Sequence, residues 1–428
     1  MASTSGGSLR LFRNREFVAL ASTAFARSQA YSTILIALAL YAELFGTTST
    51  VEGLFGTVFA VAQLFIVLPL GRYIDTSNSK RLLLVGLGLN VAVFVGFAMV
   101  DTVEHVLLVR LLQGVGASLL WLTGGAVTGE IAPDEARGLW LGTYNQVGAF
   151  SSLAGDLVGG VLLYTVGFTW TYAALSLVTV GAFVSVLLFL RDDPGGQADT
   201  EESTGIETYR KLLGRKAIRA LVLFRLTFGF GKMAVIVFVP IYAKTGGFGI
   251  TAAVVGGIMA GGKLTKALTQ GYVGDLTDRI GRRHHFVLAG ALVYALGTAL
   301  IPLAEYASLV FPTVTLQGLV LPPAFFALFG AYAVLGIADS LRLPASMALF
   351  VEEGEHFDAV AGSLSLRSIA WKVGQIVGPV TVGAVWDATS VFAAFWIAAG
   401  MLVFAAVTFA VSFGVEPAPE AGAVPADD

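Results

Sequence analysis

Apolar stretches of about twenty residues or more recur along nearly the whole chain, and this repetition restricts the folds that the chain can adopt. Each stretch is long enough to cross a hydrocarbon layer about 30 Å thick as an α-helix. Only 13% of the 428 residues are charged, whereas a soluble globular protein carries about 25%. The sequence therefore predicts an all-α protein that is integral to a membrane.

Twelve spans are predicted in this way. Lys and Arg follow the even-numbered spans, whereas the connections on the other side contain essentially only Lys244. Because positively charged connections stay in the cytoplasm, we expect a multi-pass protein of the plasma membrane with both termini cytoplasmic. The approximate spans are Phe17 to Phe45, Glu52 to Ile74, Leu82 to Val100, His105 to Thr128, Leu139 to Val166, Trp170 to Leu190, Ala217 to Ala243, Thr251 to Val273, His285 to Ala304, Ala324 to Phe350, Val360 to Trp386 and Val391 to Phe413.

The longest hydrophilic stretch lies midway along the chain and divides it into two halves. We expect residues 1–190 to form an N-terminal six-helix bundle, residues 191–216 a cytoplasmic linker and residues 217–414 a C-terminal six-helix bundle. Residues 415–428 are rich in Pro, Ala and acidic residues, which predicts a disordered tail. The outer segment 305–323 is apolar but broken by prolines, so we expect a loop on the membrane surface and not a thirteenth span.

Two short polar loops about two hundred residues apart share one pattern. GRYIDTSNSKR over 71–81 and GDLTDRIGRR over 274–283 each contain an early Gly, an Asp and a final basic cluster. A repeat at this distance predicts two parallel copies of one structural unit. The Gly lets a neighbouring helix approach closely, and the Asp can lie against a helix N-terminus or an Arg and hold the cytoplasmic side shut. The candidate gate residues are Gly71, Asp75, Lys80, Arg81, Gly274, Asp278, Arg279, Gly281, Arg282 and Arg283.

The second loop, G-x-L-x-D-R-x-G-R-R, resembles the cytoplasmic signature loop of the major facilitator superfamily, which occurs after the second and the eighth helix. The resemblance implies twelve transmembrane helices in two pseudo-symmetric six-helix bundles. The first loop departs from the family pattern at Thr76, Asn78 and Ser79, so any latch there is expected to be weaker. The alternative, two ordinary charged loops, is disfavoured because both copies lie at equivalent positions.

The fourth span carries Arg110, Gln113 and Gly114, which resemble the family's R-x-x-Q-G motif. An Arg inside an apolar helix needs a buried partner or a water-filled cavity, so it suggests a functional role. The alternative is that Arg110 extends to the nearby outer surface.

Spans five and eleven carry glycines that resemble the G-P-x-x-G-G pattern associated in the family with antiporters. Small residues at this spacing predict close packing between the halves. In the fifth span Asp156 replaces the family's Pro, which weakens the antiporter inference and places a carboxylate in the middle of the membrane. Such a carboxylate must be paired or protonated, so Asp156 either carries the coupling proton or forms a structural ion pair. The packing residues are Gly155, Gly159, Gly160, Gly378, Pro379 and Gly383.

Other polar and charged residues lie deep inside the spans. The resemblance implies that helices 1, 4, 7 and 10 line a central cavity, and Asp339 becomes the second candidate proton carrier. Basic residues outnumber acidic ones in this set, which suits an anionic or zwitterionic substrate, or a drug cavity balanced by Asp156 and Asp339. Arg225 and Arg367 lie near the inner helix ends, where reaching the membrane surface or pairing in a gate is expected. The cavity candidates are Arg27, Tyr31, Lys232, Lys263 and Arg342.

No ATP-binding loop, zinc-ligand pair or catalytic triad occurs, and the chain contains no cysteine. We therefore expect no enzyme activity, cofactor, metal or nucleic-acid partner. The resemblance implies a monomeric secondary transporter that moves a small molecule across the lipid bilayer by rocker-switch alternating access, most simply coupled to protons. The likeness to the drug-efflux branch implies antiport of small amphipathic compounds. The alternatives are uptake of an anionic metabolite by symport or uniport, and a membrane sensor or scaffold that transports nothing.

Overall fold

The computed structural model describes residues 5–76, 78–192, 206–316, 318–356 and 359–413. The side chains of Asp75 and Asp278, the predicted latch carboxylates, are not among those that the structure describes. The same holds for Gly71. Most of the predicted linker (193–205) and the predicted tail lie outside the described residues. Within the described ranges, the side chains that are not described belong to residues 5–7, 68–69, 71–76, 134, 206–207, 278 and 361.

Twelve long helices account for the twelve predicted spans. Six belong to the first half: α2 Arg15–Phe45, α3 Ser49–Thr76, α4 Ser79–Ala98, α5 Val103–Ile131, α6 Arg137–Thr165 and α7 Gly167–Phe189. Six belong to the second half: α9 Lys216–Thr245, α10 Ala252–Ile280, α11 Arg283–Leu300, α12 Pro323–Glu355, α13 Val360–Ala388 and α14 Val391–Phe413. Two short helices, α1 Ser5–Leu11 and α8 Ile206–Gly214, precede the two halves. The all-α membrane fold predicted from the sequence is confirmed.

Length and apolar composition alone identify most of these spans. Among the described residues, ten helices are long and apolar enough to cross a membrane. The remaining two long helices, α10 and α13, each carry two basic residues near their middle. These charges lower the mean hydropathy of helices that lie at the boundary between the halves.

Polar residues at the helix ends fix several boundaries. The Asn14 side chain accepts hydrogen bonds from the N–H groups of Glu16 (2.9 Å) and Phe17 (3.1 Å), which caps the N-terminus of α2. Gly46, with φ of 57°, ends the same helix in the left-handed conformation that glycine adopts without strain. α10 continues to Ile280 and α12 to Glu355, beyond the predicted ends. The predictions marked only the apolar residues, whereas both helices continue into the polar residues that follow.

Among the described residues, the outer segment 305–323 forms no thirteenth long helix, as predicted, but it contains regular structure where a loop was expected. α11 ends at Leu300, and a 3-10 helix follows over Ile301–Leu309. Pro302 lacks a backbone N–H, so it cannot continue the α-helical hydrogen bonding. Two short antiparallel strands follow, β1 Val314–Leu316 and β2 Leu319–Leu321, with Val314 opposite Leu321.

The two halves are joined by two equivalent helix pairs. α3 packs against α13, and α10 packs against α6, while α2 and α9 meet between them. Since α3 corresponds to α10 and α6 to α13 in the two halves, these pairs are related by the pseudo-symmetry of the fold. The backbones approach closely: a Cβ at Gly53 would overlap the backbone of Pro379, and one at Gly160 would overlap that of Ala252. This boundary positions the candidate site.

Candidate functional site

The end of the boundary that the sequence predicts to face outward is closed by polar contacts between the halves. Asp387, in the last turn of α13, accepts hydrogen bonds from the N–H groups of Ser49 and Thr50, both at 2.8 Å, and from the Thr50 hydroxyl at 2.6 Å. The carboxylate thereby caps the N-terminus of α3 in the other half. Beside it, Lys244 of α9 pairs with Glu43 of α2 at 2.9 Å. We call these contacts the outer latch.

The contacts between the halves continue inward as far as the middle of the membrane. The Thr57 hydroxyl donates to the Ile376 carbonyl at 2.7 Å, and Lys372 donates to the side-chain oxygens of Gln63 and Gln375. Between side chains that the structure describes, no hydrogen bond or ion pair joins the halves closer to the predicted cytoplasmic end. The described contacts therefore belong to a conformation that is closed at the outer end.

Asp156 and Lys263 form an ion pair across the two halves. Asp156, on α6, is fully buried, and its Oδ2 lies 2.5 Å from the Lys263 Nζ on α10. The same ammonium donates to the Ser32 hydroxyl at 2.8 Å and to the Ser152 carbonyl at 3.1 Å. Gly256 of α10 lies directly against the Asp156 backbone, so the glycine permits the approach that makes the pair possible. In this conformation the carboxylate is therefore paired, which is compatible with both alternatives predicted for Asp156.

Asp339 forms a second charged group, and this one lies entirely within the second half. Its carboxylate contacts the ammonium of Lys232 on α9 and accepts from the Arg342 Nη2 at 3.1 Å. The Arg342 guanidinium lies over the Phe228 ring at 3.9 Å, and the Lys232 Nζ lies 5.3 Å from the Tyr294 ring centre. Each cation therefore lies close enough to an aromatic ring for a stabilising cation–π interaction.

A cavity of about 280 Å³ opens in the first half, and Arg27 and Tyr31 both line it. The Arg27 guanidinium lies 4.6 Å from the Trp121 ring centre, and its Nε and Nη1 have no hydrogen-bond partner within the part of the chain that the structure describes. This cavity therefore combines aromatic surface with an unsatisfied cation. Its other polar lining residues are Ser28, Asn90, Gln113, Asn145 and Ser152.

Arg110 is buried and does not extend to the outer surface. Its Nε donates to the Phe55 carbonyl at 2.8 Å, and its Nη1 donates to the Gln113 side chain at 2.5 Å. The guanidinium also lies 4.4 Å from the Phe59 ring centre. Gly114 lies against the Phe59 carbonyl with no room for a Cβ. The motif therefore holds α5 against α3 and fixes Gln113, which lines the cavity.

The predicted packing glycines serve two different contacts. Three of them pack against a helix of their own half. This corrects the expectation that all of them pack between the two halves. These three are Gly155 and Gly159 against α2, and Gly378 against α9. Three others meet the opposite half, namely Gly160 against α10, and Pro379 and Gly383 against α3.

Three of the described gate residues form ion pairs with their own half or with the start of the linker. Lys80 pairs with Asp192 at 3.0 Å, and Arg279 pairs with Asp275 at 2.7 Å. Arg283 pairs with Glu352 of α12. The exposed side chains among the gate residues are those of Arg81, Arg279 and Arg282.

The two described gate glycines differ from each other. Gly281, with φ of 69°, ends α10 in the left-handed conformation. No described atom lies within 4 Å of where a Cβ would stand on Gly274, so the predicted close approach of a neighbouring helix is not seen among the described residues. Near this end, hydrogen bonds from Arg191 to Glu16 raise the pKa of the Arg191 guanidinium above its usual range.

Sequence reasoning missed Asp387, the contact of Lys372 with Gln63 and the burial of Arg225. An acidic residue in the last turn of a helix opposes the helix dipole, and that signal could have marked Asp387. Arg225 is only 8% exposed and lies 4.2 Å from the Trp371 ring centre, so the expectation that it reaches the membrane surface is wrong. Distance along a helix does not tell which face a residue occupies.

The sequence matches a family profile described as Major Facilitator Superfamily over residues 20–262 and over residues 221–428. The multidrug resistance protein MdtG of Enterobacter lignolyticus is 25% identical over 387 residues, covering 89% of this chain and 87% of that protein. An uncharacterized MFS-type transporter of Methanocaldococcus jannaschii is 21% identical over 383 residues, covering 88% and 91%. A shorter match is 31% identical over 116 residues but spans only 20% of an uncharacterized MFS-type transporter of Mycobacterium tuberculosis.

Solved structures share the fold. The nucleoside transporter NupG superposes with a TM-score of 0.73 at 16% identity, covering 93% of this chain and 100% of that one. An inward-facing, occupied bacterial homolog of the human lysosomal transporter Spinster gives 0.69 at 14% identity, covering 92% and 95%.

Proposed function

This chain belongs to the major facilitator superfamily of membrane transporters, and from that starting point we propose that it exports small amphipathic compounds in exchange for protons. The observation that carries the proposal is the buried Asp156–Lys263 ion pair, which joins the two halves near the middle of the membrane. A charged pair at a boundary that must open and close can link proton binding to the movement of the halves.

The proposed cycle follows from where the pair lies. In the conformation closed at the outer end, Asp156 is ionised and paired with Lys263. Opening of the outer end separates α6 from α10 and exposes the carboxylate to the outer solution, where it takes up a proton. When the halves close again, Lys263 returns to the carboxylate and the proton leaves toward the cytoplasm. One proton thus enters for each outward step of the substrate.

Export is favoured by the relatives. Proteins named multidrug resistance protein MdtG, from Enterobacter lignolyticus and from Salmonella choleraesuis, are 25% and 24% identical over about nine tenths of this chain. The cavity of the first half fits an amphipathic molecule, because it pairs the aromatic rings of Tyr31 and Trp121 with polar groups. A second candidate, uptake of an anionic metabolite, is favoured by the surplus of buried positive charge.

The moving parts are part of the same proposal. We assign the rigid bodies to residues 1–190 and 217–414, the linker to residues 191–216, and the tail to residues 415–428. The protein works as a monomer with both termini in the cytoplasm. The signature-loop carboxylates Asp75 and Asp278 and their basic neighbours hold the cytoplasmic side shut when the outer end opens.

The test is substrate-dependent proton movement in proteoliposomes. The purified protein is reconstituted with a pH-sensitive dye inside, a pH gradient is imposed, and amphipathic compounds of different charge are added. Wild type is expected to move protons only when a substrate is present. Asp156→Asn should still exchange substrate between the two sides but lose proton-driven accumulation. Asp101→Asn, in an exposed connection between α4 and α5, is the matched control. Full proton coupling in Asp156→Asn would remove Asp156 as the carrier.

A further inference from the structure

Six basic side chains of the second half are linked to one another by electrostatic interactions, and four of them also interact with the carboxylate of Asp339; we call the six the basic cluster. They are Arg225, Lys232, Lys266, Arg342, Arg367 and Lys372. Among the described side chains, every ion pair of this cluster involves Asp339. Within the described ranges, the six cations, which are carried by α9, α10, α12 and α13, therefore share one carboxylate, and it directly contacts only Lys232 and Arg342.

The arginines of the cluster have unused hydrogen-bonding groups. Arg225 is 8% exposed and Arg342 is 1% exposed, and the Nε and Nη1 of both have no hydrogen-bond partner among the described residues. In the same described part of the chain, the Nε of Arg367 lacks a partner as well. Arg225 also interacts electrostatically with Arg367 and Arg342, which carry the same charge. Buried donors without acceptors and like charges without counter-charges are both unfavourable, and an added anion would relieve both.

The cluster can be reached from the boundary between the halves. Arg367 and Lys372 are partly exposed, and both lie on α13. Lys372 makes the innermost described contact between the halves, with Gln63. Arg225 and Arg367 lie in the part of α9 and α13 that runs from there toward the predicted cytoplasmic end. A molecule entering from that end meets the cluster before it meets the closed outer part.

We propose that the basic cluster is a binding site for the anionic group of the transported molecule, a carboxylate, sulfonate or phosphate attached to an apolar body. A guanidinium presents a planar fork of donors that matches such groups in bidentate geometry. The ring of Trp371, which is partly exposed and lies against Arg225, supplies adjacent apolar surface. This inference rests on the proposed function for the claim that the bound anion is transported.

The direction of transport is consistent with the charge. A membrane potential that is negative inside drives an anion outward, by about 2.3 kcal/mol per charge for each 100 mV. Exchange of an exported anion for an entering proton therefore uses both the potential and the pH gradient.

The test compares two probes that differ only in the anionic group. 1-Anilinonaphthalene-8-sulfonate carries a sulfonate, and N-phenyl-1-naphthylamine is the same skeleton without it. Equilibrium binding of each is measured by fluorescence on the full-length protein in nanodiscs of phosphatidylcholine, against empty nanodiscs. Wild type should bind the sulfonate at least about tenfold more tightly. Arg225→Gln should weaken sulfonate binding by about 10- to 100-fold, the range for losing hydrogen bonds to a charged group, and leave the neutral probe unchanged.

Arg219→Gln is the matched control, because Arg219 lies on the same helix but is exposed. If Arg225→Gln does not fold, Arg367→Gln takes its place, because Arg367 is partly exposed. The ratio of the affinities of wild type for the two probes tests the inference without any variant. Equal affinity of wild type for both probes, or equal loss of both in Arg225→Gln, overturns the inference.

Two further measurements complete the test. The first distinguishes a lipid headgroup from a free anion, and the second distinguishes the anion site from the proposed export. If phosphatidylglycerol added to the nanodiscs displaces the sulfonate from wild type, a lipid headgroup occupies the cluster. If it does not, the occupant is a free amphipathic anion. Sulfonate binding without any proton-linked flux would keep the anion site and remove the proposed export. Proton-linked flux of neutral compounds alone, with no preference for the sulfonate in binding, would keep the proposed export and remove the anion site.

Discussion

Asp156 and Asp339 are both carboxylates near the middle of the membrane with basic partners, but they lie in different parts of the molecule. Asp156 pairs with Lys263 across the two halves, whereas Asp339 pairs with Lys232 and Arg342 inside the second half. A pair within a rigid half persists when the halves move, and a pair across their boundary must break. Burial and charge alone therefore do not identify a coupling group, and its position relative to the moving boundary does.

The largest effect is expected for Asp339→Asn. This change leaves two cations, Lys232 and Arg342, without their shared counter-charge in a buried setting. Removing one partner of a buried ion pair destabilises a protein by about 3 to 5 kcal/mol. The thermal unfolding of the purified protein in detergent should therefore shift strongly downward, and the yield of folded protein should fall. Asp101→Asn, exposed in a connection, should unfold like wild type. A stable Asp339→Asn protein that loses only proton coupling would reverse the roles of the two carboxylates.

A smaller loss of stability is expected for Asp156→Asn. Lys263 keeps the Ser32 hydroxyl and the Ser152 carbonyl as acceptors, and 31% of its side chain is exposed. The loss should be about 1 to 3 kcal/mol, the range for a hydrogen bond to a charged group. Lys263→Gln should be more harmful, because it leaves the fully buried carboxylate without its cation. The double variant should recover part of that loss, and strict additivity of the two unfolding shifts would show that the pair is not coupled.

The packing glycines also differ in whether they contact their own half or the opposite half. Gly155 faces α2 in its own half, and Gly160 faces α10 in the other half. Gly155→Leu should therefore lower stability by about 1 to 3 kcal/mol through overpacking. Gly160→Leu should instead separate the halves at the outer end.

Spin labels can measure that separation because the chain contains no cysteine. Leu44→Cys in the first half and Leu309→Cys in the second are exposed positions at the outer end. The distance between the labels should lengthen in Gly160→Leu and stay as in wild type in Gly155→Leu. The same distance in both variants would mean that the two glycines do not differ in role.

The sequence predicts the twelve helices well because length and apolar composition are local properties. It also identifies Asp156 as either paired or protonated, but it does not supply Lys263 as the partner. That partner lies more than a hundred residues away and depends on how α6 meets α10. The faces of the glycines are missed for the same reason, since spacing along one helix does not reveal which neighbour it packs against. Arg225 is misassigned because its depth was judged by position along α9 alone.

The smallest effect is expected at the outer latch. Asp387 caps the N-terminus of α3 through two N–H groups and one hydroxyl, and losing a helix cap costs about 0.5 to 2 kcal/mol. Asp387→Ala should therefore raise the ratio of outer-open to outer-closed molecules by about 2- to 30-fold. The Leu44→Cys and Leu309→Cys label pair would report it as a growing long-distance population. Glu43→Gln should do less, because Glu43 is half exposed and such ion pairs contribute about 0 to 1 kcal/mol. If Asp387→Ala leaves the distance distribution unchanged while Glu43→Gln alters it, the exposed ion pair and not the helix cap holds the outer end closed.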